Sequence, residues 1–303
     1  MSFASQVKAE LCRQLPRKKC CAVAMAYGAL LYCNTFDQRE IRLVTASEDF
    51  AAILPKLFRR AFDLGFDEQP EPETGGKRRF LIRDAEKIRA VFRAFDMEPE
   101  DTLALHINLG ILENDCCRAS FVRGAFLAGG SVTDPMKSYH LELVTAHGNV
   151  GRELGSLLFE LGFEAGQAKR GANQVTYFKQ SEAIADFLTA IGAPVAALDV
   201  MSAKVERDMR NEINRKVNCD TANADKTVAA AQEQLEAIRA IEREYGLDGL
   251  PDGLQQAALL RIANPAASLA DLAQLSYPAV TKSCLGHRLK KLVELGKRAG
   301  GEN

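Results

Sequence analysis

The first two thirds of the chain alternate between segments with the apolar patterns of helices and of strands. Almost wholly apolar segments indicate buried helices, β-branched residues in partial alternation are typical of strands, and apolar residues three and four apart predict amphipathic helices. The same order occurs twice: apolar helix, strand, amphipathic helix, strand and closing helix, with a further strand expected beside each pair. The first four elements are predicted at about 21–33, 40–45, about 48–64 and 80–82, and again at about 117–128, 139–145, about 148–161 and 175–178.

An internal repeat relates these two copies. CCAVAMAYGALLYCN at 20–34 aligns without gaps with CCRASFVRGAFLAGG at 116–130. Gly65 and Gly162, each within a Leu-Gly-Phe sequence, are predicted to be the C-caps of the two amphipathic helices. The repetition predicts two similar α/β units that face each other across a pseudo-two-fold axis.

Two glycines, Gly28 and Gly124, occupy equivalent positions inside the apolar helices. Glycine in a helix interior costs about 1 kcal/mol relative to alanine. Its presence at the same place in both copies favours close backbone contact between the two helices. The alternative is coincidence in two segments rich in small residues.

Composition limits where this chain could contact nucleic acid. Its 303 residues are 47% hydrophobic and 26% charged, and its net charge is −1. Because the chain as a whole is not basic, DNA contact would require local basic patches. The sequence contains no apolar run long enough to cross a membrane and no apolar signal core at its N-terminus. We therefore expect a cytoplasmic, nucleoid-associated protein without membrane contact.

The eight cysteines lack the spacing of a zinc-binding motif, because no Cys-x-x-Cys pair occurs. The adjacent cysteines at 20–21 and 116–117 are expected to point to different faces of a helix. This favours small buried hydrophobic side chains over metal ligands, and a reducing cytoplasm would keep them as thiols. The sequence therefore predicts no metal and no other cofactor.

The repeated apolar helix, FVRGAFLAGG in its second copy, resembles the signature helix of LAGLIDADG homing endonucleases. In that family two such helices pack side by side, and each ends in an acidic residue that holds divalent metal ions at the scissile phosphates. When the motif glycine is aligned with the two helix glycines, the acid positions fall on Cys33 and Gly129. Neither residue is a carboxylate, so the resemblance implies the fold without the nuclease acids.

The predicted strands and their flanks carry basic residues that a saddle-shaped domain could present to a DNA duplex. Such residues would hold phosphates without reading sequence. Ordinary solvated charges, which also protect strand edges against aggregation, explain them equally well. The residues are Arg42, Lys77, Arg78, Arg79, Arg83, Lys169, Arg170 and Lys179.

Residues 198–245 contain neither Gly nor Pro and predict one long helix, or two with a break at 218–220. Asparagines recur there near helical spacing beside basic residues. Because asparagine is a mediocre helix former, the repetition indicates a polar role. Domain docking through hydrogen bonds and direct contact with DNA both fit. The residues of this segment are Arg210, Asn211, Asn214, Arg215 and Asn218.

The last fifty residues have the pattern of a helix-turn-helix. A helix at about 254–263 precedes a short helix after Ser268, where Asp271 is placed for a capping box, and a longer helix follows the turn at 276–278. Residues 281–298 contain six basic residues and one acid, as expected for a helix that enters the major groove. A helical interaction domain with a solvated basic face is the alternative.

Three segments together resemble the WhiA family of bacterial transcription regulators: SFASQVKAEL near the N-terminus, RNEINRKVNCDTAN at 210–223 and TKSCLGHRLKKL at 281–292. The resemblance covers essentially the whole chain. It implies a DNA-binding regulator, linked to sporulation in some bacteria and to cell division and chromosome segregation in others, with promoter recognition led by the last helix. The residues that it assigns to DNA contact are Thr281, Lys282, Ser283, His287 and Arg288, and the basic pattern of the helix adds Lys290 and Lys291.

One position departs from the pattern of that family. Its members usually have Asn where this chain has Gly286. Glycine removes a side chain that could read a base and loosens the helix, so we expect a different target sequence or weaker specificity.

The predicted fold is mixed α/β (α+β), with a duplicated LAGLIDADG-like domain joined by a helical linker to an all-α helix-turn-helix domain. The predicted ranges are 1–197 for the duplicated domain (copies about 1–97 and 98–197), 198–249 for the linker and 250–303 for the last domain.

The predicted function is sequence-specific DNA binding in transcription regulation, without catalysis. The expected partner is double-stranded DNA, with a protein co-regulator as a further candidate; a monomer is compatible with the sequence, which does not set the oligomeric state. One alternative is an active metal-dependent endonuclease that uses the displaced acids Asp37 and Asp134. The other is a protein-interaction scaffold.

Overall fold

The computed structural model describes residues 2–71, 76–99 and 104–299 and divides the chain into two compact units. The first unit is Met1–Asp208, and the second is Met209–Asn303. Each has its own hydrophobic core.

The first copy of the repeat follows the predicted order of elements. A helix at the N-terminus precedes the apolar helix, and a two-residue strand precedes the predicted strand pair. The elements are α1 Phe3–Cys12, α2 Lys19–Leu31, β1 Thr35–Phe36, β2 Ile41–Thr45, α3 Glu48–Phe62, β3 Arg78–Ile82 and α4 Ala85–Arg93.

The second copy repeats this order and adds one strand. A short 3-10 helix, Leu109–Leu112, precedes it. The elements are α5 Asp115–Gly129, β4 Gly130–Val132, β5 Leu141–Thr145, α6 Gly148–Glu160, β6 Gly166–Arg170, β7 Asn173–Phe178 and α7 Ser181–Ile191. The expected extra strand is confirmed in both copies as β1 and β4.

Each copy builds one antiparallel sheet. The strand order is β1-β2-β3 in the first and β4-β5-β7-β6 in the second. Buried residues alternate along β2 (Ile41, Leu43) and along β5 (Leu141, Leu143), because successive side chains of a strand point to opposite faces. These side chains belong to the core that also contains the buried faces of α2 and α5.

The close contact predicted between the apolar helices is confirmed. A Cβ added to Gly28 would lie 2.0 Å from the carbonyl oxygen of Phe121, and one added to Gly124 would lie 1.9 Å from that of Met25. Each glycine therefore lets the backbone of the opposite helix approach where any side chain would collide with it.

Neither glycine predicted to be a C-cap is the C-cap residue itself. Helix α3 ends at Phe62, and Asp63 takes the left-handed conformation at φ 61° and donates its N–H to the carbonyl of Arg59. Gly65 therefore lies beyond the cap. Gly162 does have a left-handed φ of 87°, directly after the C-cap residue Leu161 of α6. Aspartate tolerates this conformation better than most residues do, which allows the helix to end earlier.

The long polar segment forms a single helix, α8, at Pro194–Tyr245. The alternative with a break at 218–220 is therefore wrong. The boundary between the two compact units falls within this helix. In the part of the chain that the structure describes, no helix is both long and apolar enough to cross a membrane.

The second unit packs three further helices against the end of α8. They are α9 Asp252–Ala263, α10 Leu269–Leu275 and α11 Lys282–Ala299. Ile238 and Ile241 of α8 share a core with Leu272 of α10 and with Leu285 and Leu289 of α11. The predicted capping box at the start of α10 is confirmed, since the Ser268 and Asp271 side chains each bond the backbone N–H of the other residue.

A buried arginine joins these helices. Arg261 of α9 is 2% exposed, and its guanidinium donates to the Gln234 side chain at 2.9 Å and to the carbonyls of Asn264 and Ala267. Burial lowers the pKa of Arg261. These neutral acceptors connect α8, α9 and the loop before α10.

Replacement of Arg261 by Ala is expected to destabilise the second unit by about 2 kcal/mol, because one buried and two half-buried acceptors lose their donor. Urea unfolding, monitored by hydrogen exchange of α9 and α11, measures the change. Arg239→Ala, at an exposed position of α8, is the control and should leave the midpoint unchanged. Equal midpoints for the two variants would contradict a structural role for the Arg261 network.

Candidate nucleic-acid interface

The helix predicted to contact DNA begins with a side-chain cap. Thr281 precedes α11, and its hydroxyl oxygen accepts the N–H of Cys284 at 3.2 Å. Its carbonyl accepts the N–H of Leu285 at 3.0 Å. Thr281 therefore fixes the start of the helix, and its hydroxyl proton is still available to donate to a ligand.

The exposed face of α11 carries most of the predicted contacts. Leu285, Leu289 and Leu292 are buried against the rest of the unit. The residues at Lys282, Ser283, His287, Lys290 and Lys291 are exposed. Since a helix turns about 100° per residue, Lys282, Ser283, His287 and Lys290 fall on one side, with Lys291 at its edge. These five side chains make no hydrogen bond or ion pair with the described residues.

Arg288 lies on another side of the same helix. It is half-buried, and its guanidinium carbon would lie 3.2 Å from a Cβ placed on Gly253 of α9. It lines a small cavity with Tyr277 and Leu285. The structure thus does not bring Arg288 together with Lys282 and Lys290.

Gly286 occupies a half-buried position between the exposed residues. A Cβ added there would meet only Leu269 Cδ1, at 3.8 Å, which is ordinary van der Waals contact. We therefore expect Gly286→Ala to stabilise the second unit by about 0.5–1 kcal/mol through its higher helix propensity.

Chemical denaturation of the full chain tests this expectation. Gly296→Ala on the same helix is the matched comparison, because its Cβ would lie 2.6 Å from Ala237 Cα. That variant should be destabilised. A loss of stability in Gly286→Ala would show that α11 needs the freedom of glycine at this point.

The asparagine segment is exposed along α8. Every residue from 208 to 226 is exposed within the described structure. The side chains of its five predicted residues, Arg210, Asn211, Asn214, Arg215 and Asn218, form no hydrogen bond or ion pair with other described residues. Direct contact with DNA requires such uncommitted groups, and both predicted roles of the segment stay predictions.

The two positions aligned with nuclease acids hold no carboxylate, and one of them, Gly129, has no room for a side chain. The Cys33 thiol donates to the carbonyl of Thr35 at 3.1 Å, and burial raises its pKa to about 12. Gly129 ends α5, where a Cβ would lie 2.5 Å from the carbonyl oxygen of Val144. Cys33 therefore stays a neutral thiol at physiological pH, and a side chain at position 129 would displace β5.

The displaced acids have structural bonds of their own. Asp37 accepts the backbone N–H groups of Arg39 and Glu40 at 2.8 and 2.9 Å, and Asp134 accepts that of Met136 at 3.0 Å. Both aspartates thus shape the turns after β1 and β4. Within the described residues, no three carboxylate or histidine groups converge as ligands for a metal.

Most of the basic strand residues are paired with carboxylates. Arg42 and Arg83 contact Glu40, Arg78 contacts Glu48, and both Arg79 and Arg83 contact Glu68. In the second copy, Arg170 contacts Glu142, and Lys179 lies over the ring of Tyr177. Paired arginines offer less net positive charge to a phosphate backbone, which favours the interpretation as surface charges. Lys77 and Lys169 are exposed.

Two family models match this chain. The one described as the WhiA C-terminal HTH domain matches residues 213–296. The one described as the WhiA LAGLIDADG-like domain matches residues 118–210.

Relatives of known name match over the full length. A protein of Ruminiclostridium cellulolyticum named "Probable cell division protein WhiA" is 35% identical, over 100% of this chain and 99% of its own. A protein of the same name from Clostridium botulinum is 34% identical, over 97% and 98%. The crystal structure of full-length DUF199/WhiA from Thermatoga maritima has a TM-score of 0.60 and 24% identity, and the match covers 98% of this chain and 99% of that one. At 24% identity, this structural similarity shows that the two proteins share a fold.

Proposed function

Because the chain belongs to the WhiA family, we propose that it is a sequence-specific DNA-binding regulator of transcription that selects its site through α11. The observation that carries this proposal is the uncommitted basic face of α11 on a helix-turn-helix. Residues 281–298 hold six basic side chains and one acid. Helices of this kind place their N-terminal residues in the major groove.

The exposed side of α11 supports a division of roles. Lys282 and Lys290 would bind phosphates or guanine edges, and Ser283 and His287 offer hydrogen bonds to bases between them. Lys291 at the edge of this side, and Thr281 through its hydroxyl proton, would contact phosphates. Arg288 would reach DNA only by leaving its place against α9.

The α8 segment would supply a second contact. The exposed Arg210 and Arg215 would bind phosphates, and Asn211, Asn214 and Asn218 would bind base edges or a docked surface. Its exposed apolar residues Met209, Ile213 and Val217 recur every four residues and would suit a protein co-regulator.

The names of the relatives support a role in cell division. We propose that the genes under control serve cell division and chromosome segregation, or sporulation where the organism sporulates. Such a regulator would work on the nucleoid in the cytoplasm.

The LAGLIDADG-like unit would act without cleaving DNA, as a clamp or an interaction platform. Support comes from the neutral thiol of Cys33, the crowded position of Gly129 and the structural bonds of Asp37 and Asp134. A nuclease of the two-metal type would need carboxylates at these helix ends.

Selection of fragments from genomic DNA by the full chain tests the proposal. We expect enrichment of a common site, with log affinity falling linearly against log salt.

Plasmid nicking with Mg²⁺ and Mn²⁺ tests catalysis, and no cleavage is expected. Reproducible metal-dependent cleavage lost in Asp134→Ala would establish the nuclease alternative. Failure to retain any DNA at low salt would favour the scaffold.

A further inference from the structure

Four cysteines meet where the two repeat-related helices begin. Cys20 and Cys21 lie in the first turn of α2, and Cys116 and Cys117 lie in the first turn of α5. The sulfur atoms of Cys20, Cys21 and Cys117 are all within 4.8 Å of one another. Cys116 is hydrogen-bonded with Cys21. The two cysteines of each helix point to different faces of that helix, but cysteines from the two helices lie close together.

From this juxtaposition we propose that Cys20, Cys21, Cys116 and Cys117 form a thiolate site for one soft divalent metal ion, with zinc as the expected occupant. Zinc in structural sites takes four ligands in a tetrahedron with Zn–S distances of about 2.3 Å. That geometry separates the sulfur atoms by roughly 3.8 Å. The three closest sulfur atoms need only small side-chain adjustments to reach it.

The surroundings favour thiolates. Both helices present the positive end of their dipole to the cluster, and neither has a side-chain cap on its free N–H groups. Lys18 and Arg123 add positive charge, since Lys18 acts electrostatically on Cys116 and Arg123 interacts electrostatically with Cys12 and Cys21. These groups would offset the excess negative charge of four thiolates on one divalent ion.

Without a cation, Cys21, Cys116 and Cys117 hold their protons unequally. The hydrogen bond with Cys21 lowers the pKa of Cys116, whereas burial raises the pKa of Cys21 and that of Cys117. Close thiols resist joint ionisation because their charges repel. A bound metal ion removes this barrier, since coordination deprotonates a thiol outright.

The solvent access to the four cysteines and the chemistry of their sulfur atoms are also suitable for a zinc ion. Cys20 and Cys116 are exposed, and Cys21 and Cys117 are buried beneath them. An ion can therefore enter from solvent and reach the inner pair. Sulfur ligands select zinc over the hard cations magnesium and calcium, which prefer oxygen.

Metal analysis of the full chain tests the site. The reduced, chelator-stripped protein is mixed with zinc chloride, desalted and analysed for bound metal; cobalt chloride in parallel reports sulfur coordination through thiolate-to-metal charge-transfer absorption. We expect one zinc per chain. Zinc should also raise the melting temperature, because the ion binds the folded state.

The substitutions are made at exposed cysteines, so that the hydrophobic core is not disturbed. Cys20→Ser with Cys116→Ser should weaken zinc binding by more than about 100-fold, since even residues that only support a ligand typically contribute about 10–100-fold. It should also abolish the cobalt charge-transfer band and the melting shift. Cys219→Ser with Cys284→Ser, exposed cysteines of the second unit, should behave as wild type. No bound zinc in the reduced wild type, or equal binding by both double variants, overturns the proposal.

Discussion

Replacement of Lys282 and Lys290 together by alanine is expected to lower affinity for the selected DNA site by about 30- to 1000-fold, equal to about 2–4 kcal/mol. Both lysines are exposed on one side of α11 and make no ion pair with the described residues. Their charge is therefore fully available to the DNA. The slope of log affinity against log salt should decrease by about two, because each lysine that meets a phosphate displaces about one counterion.

Fluorescence anisotropy at several salt concentrations measures both quantities. Lys56→Ala with Arg59→Ala removes the same charge from exposed positions on α3 and serves as the control. It should change affinity by less than about threefold, since neither side chain belongs to the proposed interface. If the two double variants lost affinity equally, net charge rather than α11 would govern binding. If neither did, the interface would lie elsewhere.

A second large effect is expected from a single methyl group. Gly124→Ala should destabilise the first unit by more than about 3 kcal/mol, above the usual range of overpacking. The added Cβ would lie 1.9 Å from the carbonyl oxygen of Met25 and 3.0 Å from the backbone N of Ala29. Both atoms belong to the backbone of α2, so no rotamer change can relieve the contact, and the helices must separate.

Hydrogen exchange of α2 and α5 during urea unfolding measures this loss. Gly148→Ala is the matched control, because a Cβ at the start of α6 meets nothing within 4 Å. That variant should be as stable as the wild type or more so. A Gly124→Ala protein with unchanged exchange would mean that the helices do not approach as closely as the structure shows.

The local pattern of apolar and polar residues was sufficient to predict most of the helices and strands. The strands β2 and β5 alternate and the amphipathic helices α3 and α6 repeat with the helical period, so these four elements follow from residues that are neighbours in sequence. The capping box at Ser268 is equally local. The cap of α3 was missed because Asp63 and Gly65 both suit a helix end, and the choice between them depends on how Phe62 and Phe66 pack.

By itself the sequence determined the repeat, the class of fold, the family and the loss of acids at Cys33 and Gly129. The tertiary structure decided which side chains meet. It turned Arg288 against α9 while Lys290 faces solvent, paired most of the strand arginines with carboxylates, and brought two cysteine pairs into one cluster. The physical reason is distance along the chain. Periodicity fixes which face a residue occupies within its own element, whereas the partner on that face comes from a segment far away and is set only when the elements pack.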